Sequence, residues 1–215
     1  MNIILSGLNN ILNCIFKITG DWGISIILLT ILIRILLLPI SIKQKKSIAQ
    51  QQKFSKKIEE LKVIYKDNKK KLEEEMQRCY EQSAKSMMGC LVSLLQLPII
   101  SSLYILFNKM PVEVGTIIVP WISNIKMSDK YFIIPMIYTL ISLSPYLISY
   151  IPFLNIVKNA KVEKINIIMT VFFSILITIK TPITVGIYFI TTGLFSLFEE
   201  ILYRLYCKKY LIKSR

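Results

Sequence analysis

Apolar and charged residues are separated into long alternating blocks along this chain, and this separation constrains its fold more than any other feature. The runs 24–33, 91–95 and 165–179 contain no charged residue, whereas most of the charge lies in 43–85 and beyond residue 203. Hydrophobic residues make up 53% of the 215 residues, which is more than a water-soluble domain of this length normally carries. Such blocks are typical of membrane-spanning helices joined by solvated segments.

Five apolar segments predict an all-α polytopic membrane protein. The predicted spans are 23–42, 87–107, 131–153, 165–179 and 182–203. A helix needs about 20 residues to cross the hydrocarbon core, so the fourth span implies a thinned bilayer or an extension to Lys180. Pro98, Pro135 and Pro145 lie inside spans and predict kinks that packed membrane helices tolerate.

Residues 1–20 are predicted to form an amphipathic helix that lies on the membrane surface. Apolar residues recur there at intervals of three and four, while Asn9, Asn10, Asn13 and Lys17 fill the other face. The alternative is a frayed sixth span, which the segment disfavours because it is short and polar.

Residues 44–85 are polar but periodic, and they predict an antiparallel helical hairpin. Apolar residues step by three or four along two stretches, which are Phe54, Ile58, Leu61 and Tyr65, then Leu72, Met76 and Tyr80. Residues 66–69 between them are a turn candidate. The alternative is a solvated, partly helical linker.

The distribution of basic residues predicts the orientation. The chain has 27 Lys and Arg against 13 Asp and Glu, a net charge of +14. Basic residues concentrate in 43–85, in 158–164 and in the tail 204–215, and they are few in the other loops. Because such residues favour the cytoplasmic side, we expect the N-terminus outside and the hairpin and basic tail in the cytoplasm. The basic residues flank spans, so anionic lipid explains them before DNA, and we expect no DNA partner.

The composition disfavours several kinds of chemistry. The chain has no histidine, and its four cysteines form no C-x-x-C pair. Zinc binding, histidine acid-base catalysis and a disulfide framework all need those residues. The predicted spans also carry no paired Asp residues or H-E-x-x-H motif for an intramembrane enzyme. We therefore expect no catalytic residues, no cofactor and no metal, so the protein is not predicted to be an enzyme.

Arg34 is the most informative single residue, because it lies inside the first predicted span at about 12 Å of helix from Lys43. A charge at that depth costs about 3 kcal/mol or more unless water or a partner receives it. No acidic residue lies in the apolar interior of any predicted span. A hydrated cavity is the favoured interpretation, and snorkelling of the side chain to the interface is the alternative.

Polar residues recur along one face of every predicted span, and together they predict a shared polar groove. The five stripes are Gly23, Thr30, Arg34 and Ser41; Ser86, Gly89, Ser93 and Gln96; Tyr138, Ser142, Tyr146 and Ser149; Asn166, Thr170, Ser174 and Thr178; and Thr184, Tyr188 and Thr191. Gln96 is the strongest partner for Arg34, since an amide in mid-span needs hydrogen bonds. Packing of helices through small hydroxyl residues is the alternative for each stripe.

Residues 23–34, followed by Leu38-Pro39 and the basic segment 43–47, resemble the first conserved span of the YidC-type insertases. These are the bacterial relatives of the mitochondrial Oxa and chloroplast Albino proteins. Residues 89–99 and Leu103-Tyr104 are similar to the second span of the family. Residues 120–122 and 131–135 resemble its outer loop and third span, and 186–189 its fifth. The resemblance covers most of the chain and is to the short Gram-positive type.

The chain departs from the family pattern in the second and fifth spans. The chain has Ala84-Lys85-Ser86 where the family has Asn-Pro, and Val92 where Pro is common. In the fifth span, where the family usually has Tyr-Trp and then Asn, it has Tyr188-Phe189 and Gly193. These departures bear on the entrance of the second span and on the middle of the fifth.

The resemblance implies an insertase that moves newly made membrane segments into the bilayer without nucleotide hydrolysis. It implies that Arg34 and Gln96 line a hydrated, positively charged groove. The further candidates for that groove are Thr30, Ser93, Tyr188 and Phe189, and those for hairpin contacts are Lys56, Lys57, Lys69 and Lys70. The implied partners are nascent membrane proteins, the ribosome, the Sec translocon and anionic lipids, at the bacterial plasma membrane. A small transporter or channel, or a non-catalytic scaffold, is the alternative.

Overall fold

The computed structural model describes residues 2–66, 68–84, 101–102, 104–106, 115–149 and 164–213, and these residues form helices and loops only. The labelled helices are α1 (Asn2–Thr19), α2 (Trp22–Ile64), α3 (Lys69–Ala84), α4 (Ile133–Ser149), α5 (Lys164–Thr178) and α6 (Ile183–Lys213). The described part of the chain contains no β-strand, which confirms the all-α prediction.

Two of the described helices have the length and hydropathy of membrane spans. They are Trp22–Ser47 within α2, with mean hydropathy 2.6, and Ile183–Cys207 within α6, with mean hydropathy 1.5. Only 28% and 33% of their most apolar stretches are buried. Most positions in these stretches are therefore partly or fully exposed, unlike those of a helix buried in the core of a soluble protein.

The other predicted spans correspond to less complete features. The third and fourth contain the shorter apolar helices Ile133–Ile148 and Ile165–Thr178. Most of the second, 87–107, lies outside the described residues. The number of spans therefore stays a prediction.

Helix α2 runs without interruption for 43 residues, so the first predicted span and the first arm of the predicted hairpin are one helix. At 1.5 Å per residue it is about 65 Å long. It ends at Tyr65, whose N–H donates to the Leu61 carbonyl at 2.9 Å. Helix α3 then begins at Lys69 and packs on α2. The side of the membrane on which this pair lies stays a prediction.

Helix α6 lies at the centre of the bundle, since it contacts both α2 and α4, while α5 packs on α4 and α1 on α2. The main buried cluster comprises Leu12, Trp22, Ile26, Leu29, Leu106, Val119, Ile125, Ile134, Ile183, Val185, Ile187 and Tyr188. Its helical members from α2, α4 and α6 belong to the first turns of those helices. The apolar core is thus concentrated at the end of the bundle where these three helices begin.

Helix α1 packs its apolar face on that end. Leu12 is fully buried, and the ring of Phe16 stacks on Trp22 with 4.0 Å between centroids. Asn9 and Asn13 are exposed on the opposite face. The amphipathic helix is therefore present, and its location on the membrane surface stays a prediction.

Asp21 joins this end of the bundle to residues 115–132, which we call the cap loop. Its carboxylate accepts hydrogen bonds from the N–H of Ile24 at 2.9 Å, from the N–H of Ile117 at 2.9 Å and from the Thr116 hydroxyl at 2.7 Å. Burial by itself raises the pKa of Asp21, but these hydrogen bonds outweigh it and hold the pKa below its ordinary value. One ionised side chain therefore caps α2 and anchors the loop.

The cap loop also receives the beginning of α6. The N–H of Ile183 donates to the Met127 carbonyl at 3.0 Å, and the N–H of Thr184 donates to the Ile125 carbonyl at 3.2 Å. The first N–H groups of a helix have no partner within it, so the loop carbonyls satisfy two of them. The cap loop thereby fixes where α6 starts relative to α2.

Candidate functional site

A recess of about 570 Å³ lies between the middle parts of α4, α5 and α6, with Arg34 of α2 at its wall. Its lining residues are Arg34, Tyr138, Ile141, Ser142, Pro145, Tyr146, Asn166, Met169, Thr170, Phe173, Ser174, Ile177, Phe189, Thr192, Gly193, Ser196 and Leu197. The buried cluster ends at Leu29 on α2 and at Ile134 on α4, about one turn before Arg34 and Tyr138, and on α6 it reaches Tyr188, directly before Phe189. The recess therefore occupies the part of the bundle that the core does not fill.

Arg34 carries the only charge among the described residues that line the recess. None of the ion pairs formed by described residues includes Arg34, and its side chain is partly exposed. A guanidinium is always ionised, and its burial in an apolar medium without a partner is costly. The recess therefore has an uncompensated positive charge that water or an anionic group would stabilise.

Hydroxyl groups join α4 to α5 along one wall of the recess. The Tyr146 and Thr170 hydroxyl oxygens lie 2.9 Å apart, and those of Thr139 and Ser174 lie 3.0 Å apart. Thr170 also donates to the Asn166 carbonyl at 2.8 Å. Bonds of this local kind let hydroxyl side chains occupy helices in surroundings with little water. The wall is thus polar but neutral.

Of the three buried side-chain oxygens on α6 that lack a partner among the described residues, in Thr184, Thr192 and Glu199, that of Thr192 belongs to a residue lining the recess. The hydroxyl oxygen of Thr192 is buried and has no hydrogen-bond partner among the described residues. A buried polar group without a partner costs about 1–3 kcal/mol, so Thr192 is a destabilising polar group in the packing of α6 beside the recess. Ser196, one turn further on, lines the recess as well.

The recess opens to the surroundings of the bundle on the side of α5. Met169, Phe173 and Ile177 line it and are 47%, 49% and 42% exposed. All three side chains are apolar. A bound segment in the recess would therefore have access to lipid along α5.

The structure brings some of the predicted groove residues together and places others elsewhere. Arg34 and Phe189 line the recess. Tyr188 is only 2% exposed and belongs to the buried cluster. It differs from its neighbour Phe189 because consecutive residues on a helix point about 100° apart. Thr30 is 2% exposed, and its hydroxyl donates to the Ile26 carbonyl at 2.6 Å.

The remaining predicted residues lie outside the recess or outside the described part of the chain. Ser93 and Gln96 are not among the described residues. Lys57 and Lys70 are exposed on α2 and α3, and the side chains of Lys56 and Lys69 are not described. Lys57 lies 23 residues beyond Arg34 on α2, which is about 35 Å.

The polar stripe predicted on the fifth span is buried rather than in the recess. Thr184 and Thr191 are 1% and 8% exposed, and the face that reaches the recess carries Phe189, Thr192 and Ser196. These three residues are spaced three and four apart, so the sequence contains a second stripe that would have identified them. Burial distinguishes the two stripes, and the sequence alone does not reveal it.

A charged cluster joins α2 to α6 on the side of the recess away from the cap loop. Lys45 donates to Glu200 at 3.0 Å and to the Ser196 carbonyl at 3.2 Å, and Arg204 donates to Glu200 at 2.7 Å. The Ser41 hydroxyl donates to Glu199 at 2.5 Å. The two glutamates are thus engaged with groups other than Arg34.

A family model described as 60Kd inner membrane protein matches residues 14–209. The chain is also similar to proteins named membrane protein insertase YidC. It is 30% identical over 192 residues to the protein of Francisella tularensis subsp. novicida strain U112, and equally to that of Francisella tularensis subsp. tularensis strain WY96-3418. Each alignment covers 88% of this chain and 34% of the relative, so the chain spans about a third of their length.

The fold is similar to that of a solved structure described as an active YidC insertase crystal structure with the first transmembrane domain resolved. The TM-score is 0.65 at 25% sequence identity, over 91% of this chain and 45% of the other. The similarity therefore includes nearly all of the helices described above.

Proposed function

We propose, from the premise that this chain belongs to the YidC/Oxa family of membrane proteins, that it inserts newly made membrane protein segments into the lipid bilayer. The relatives that bear the insertase name are about three times as long as this chain. The proposal is that the 215 residues of this chain are sufficient for the insertion step.

The observation that carries the proposal is the recess with a single positive charge. Arg34 projects among hydroxyl and amide side chains from α4, α5 and α6, with no acidic residue among the described lining. Such a recess lowers the electrostatic cost of moving a polar tail, above all an acidic one, partway across the bilayer. It needs no bond to be made or broken and no nucleotide.

The driving force in this mechanism is the partition of the apolar segment into lipid. The recess holds the polar tail that precedes or follows the segment, while the segment itself moves along the exposed apolar residues of α5. The hydroxyl oxygens of Ser142 and Ser196, which line the recess, can accept hydrogen bonds from the tail. Gln96 is proposed to line the same groove from the second span.

The proposed topology has five spans, the N-terminus outside and the α2–α3 hairpin and basic tail in the cytoplasm. The support is the excess of Lys and Arg in 43–85 and 204–215. In this arrangement the hairpin lysines, Lys56, Lys57, Lys69 and Lys70, meet the ribosome, the Sec translocon or anionic lipid.

The proposal is tested with purified protein in vesicles that contain no other membrane protein. A single-span protein is synthesised in their presence, and its insertion is measured by protection of its translocated tail from protease. Protection above that of protein-free vesicles is the expected result. Equal protection in both kinds of vesicle contradicts the proposal, and uptake of a radiolabelled small anion without insertion would favour a transporter instead.

A further inference from the structure

We propose that the cap loop, residues 115–132, is seated in the headgroup region of the bilayer and presents an apolar and aromatic surface to lipid. The residues of this surface are Ile117, Trp121, Met127, Tyr131 and Phe132. The inference rests on the transmembrane arrangement of the proposed function, and it does not depend on how the recess acts on a substrate.

The depth of the loop follows from its bonds to the helix ends. Asp21, at the start of α2, accepts the N–H of Ile117 at 2.9 Å. The N–H of Ile183, at the start of α6, donates to the Met127 carbonyl at 3.0 Å. Helix α4 begins at Ile133, directly after the loop. The loop therefore lies at the level where three apolar helices begin, which is the membrane interface if those helices span the bilayer.

The side chains of the loop are those of an interfacial surface. Ile117 is 78% exposed and Tyr131 is 67% exposed, although both are large and apolar. Exposed apolar groups collected in one loop mark a contact surface. The exposed apolar face of α4, which includes Met136 and Leu140, continues from the same level, so one lipid environment accounts for both the loop and this face.

Side-chain acceptors satisfy several backbone N–H groups in the cap loop and at the start of α4. The N–H of Ile134 donates to the Asp129 carboxylate at 2.8 Å, and the N–H of Tyr131 donates to it at 3.0 Å. The N–H of Lys126 donates to the Asn124 side chain at 2.9 Å, and the N–H of Ile118 donates to the Thr116 hydroxyl at 3.2 Å. Irregular backbone at membrane depth must satisfy its polar groups internally, and these bonds satisfy three N–H groups of the loop and one at the start of α4.

Phe132 has a left-handed backbone with φ of +57°, which a bulky residue rarely adopts. Bonds on both sides hold it there, since its N–H donates to the Asp129 carbonyl at 3.3 Å and its carbonyl accepts the N–H of Met136 at 3.1 Å. A conformation of this kind costs about 1–3 kcal/mol. Phe132 is 48% exposed in this conformation, so an aromatic ring is held partly outside the core, where lipid can cover it.

Trp121 has the features of a lipid-facing indole. Its ring N–H donates to Asp129 at 3.3 Å, so the ring can enter an apolar medium without leaving a donor unpaired. Lys130 and Lys17 are exposed at the same end of the bundle, where their ammonium groups can reach headgroup phosphates. Aromatic rings beside lysines are the composition of an interfacial belt.

The chain contains two tryptophans, which makes the proposal directly measurable. In the Trp22→Phe variant, Trp121 is the only tryptophan. The variant is reconstituted in vesicles whose lipids carry bromine atoms either near the headgroup or near the chain ends. We expect loss of Trp121 fluorescence with the shallow bromines, smaller loss with the deep ones, and little quenching by acrylamide in water.

The Trp121→Phe variant is the matched control, because its remaining Trp22 is buried against Phe16 and reports the folded core. Trp22 emission unchanged between detergent and vesicles shows that the core is intact. Strong quenching of Trp121 by acrylamide, with no quenching by brominated lipid, overturns the proposal. Insertion activity is recorded on the same vesicles, so a protein with a lipid-seated loop but no activity contradicts the proposed function and leaves this inference standing.

Discussion

Ile141 of α4 fits against Gly193 of α6 so closely that a Cβ atom at position 193 would lie 2.6 Å from the Cγ2 methyl of Ile141. One heptad earlier on both helices, Ile134 occupies the corresponding notch at Gly186. Two isoleucines seven residues apart thus insert into two glycines seven residues apart, as in knobs-into-holes packing. Gly193 replaces the Asn of the resembled family, and it lines the recess, so this close approach sets the distance between two of the recess walls.

The first prediction is that Gly193→Ala destabilises the bundle by about 1–3 kcal/mol, because the added methyl overpacks the contact with Ile141. The measurement is the apparent Tm of the detergent-purified protein. Ile141→Leu removes the Cγ2 branch at nearly constant volume, so the double variant should lose less than the sum of the two single losses.

Gly7→Ala is the control for that experiment, since a Cβ at position 7 would have no neighbour within 4 Å. It should leave the Tm unchanged or raise it slightly through helix propensity. Additive losses in the Gly193→Ala and Ile141→Leu pair would show that the two residues do not constrain each other.

The second prediction concerns Asp21, which caps α2 and anchors the cap loop. Asp21→Asn should destabilise the protein by about 1–2 kcal/mol, since the hydrogen bonds from Ile24, Ile117 and Thr116 lose a charged acceptor. The folded pKa of Asp21 lies below its ordinary value of 3.8. Its contribution is therefore complete above that value and is lost as the pH falls through the lower folded pKa.

The corresponding measurement is the Tm difference between wild type and Asp21→Asn as a function of pH. The difference should be constant from neutral pH to about pH 5 and shrink only in stronger acid. A difference that already disappears at about pH 6 would mean that another group is responsible.

The third prediction compares two ion pairs in the same chain. Glu200 bonds Lys45 and Arg204, whose side chains are 11% and 12% exposed, whereas the Arg78–Glu75 pair on α3 is 73% and 38% exposed. Glu200→Gln leaves two partly buried cations without their carboxylate and should cost about 3 kcal/mol. Glu75→Gln, the matched control, should cost about 0.5 kcal/mol or less. Similar Tm losses in the two variants would contradict this account of the α2–α6 contact.

Sequence periodicity predicted the helices well because each apolar or amphipathic stripe is a local signal. The helix of residues 1–20, the turn near 66–69 and the limits of α5 all follow from such stripes. The continuity of α2 was not predicted, because its composition changes from apolar to polar near Lys43 while the helical backbone continues. Composition reflects the solvent around a helix, whereas helix ends depend on capping and turn residues. Pro39, a potential helix breaker close to this boundary, lies inside α2 without ending it.

The candidate site was predictable only in part, for a related reason. Arg34 stood out because a charge in an apolar run has no structural explanation. The face of the fifth span that lies beside Arg34 depends on how α6 is rotated relative to α4. The close contacts at Gly186 and Gly193 determine that rotation. The sequence offers polar stripes on two faces of α6, and only packing distinguishes Tyr188 in the core from Phe189 in the recess. Asp21 and Asp129 lie in loops without periodicity and were not identified.

The fourth prediction is the sidedness of the membrane arrangement. Single cysteines at Asn68 and Ser123, both exposed, report the hairpin turn and the cap loop in a background without native cysteines. A membrane-impermeant thiol reagent added to intact cells should label position 123 and leave position 68 unlabelled until the cells are opened. The reverse pattern would invert the proposed topology.

Substitution of Arg34 tests the proposed insertion mechanism most directly. The experiment uses two single-span substrates that differ only in their translocated tail, which is acidic in one and neutral in the other. Each is inserted into vesicles that contain wild-type, Arg34→Lys or Arg34→Ala protein. The Tm of each variant is measured as a check on folding. Because a point charge is enough to attract an acidic tail, Arg34→Lys should retain more activity than Arg34→Ala, and Arg34→Ala should lose more on the acidic tail than on the neutral one. Equal loss on both tails at unchanged Tm would contradict the account.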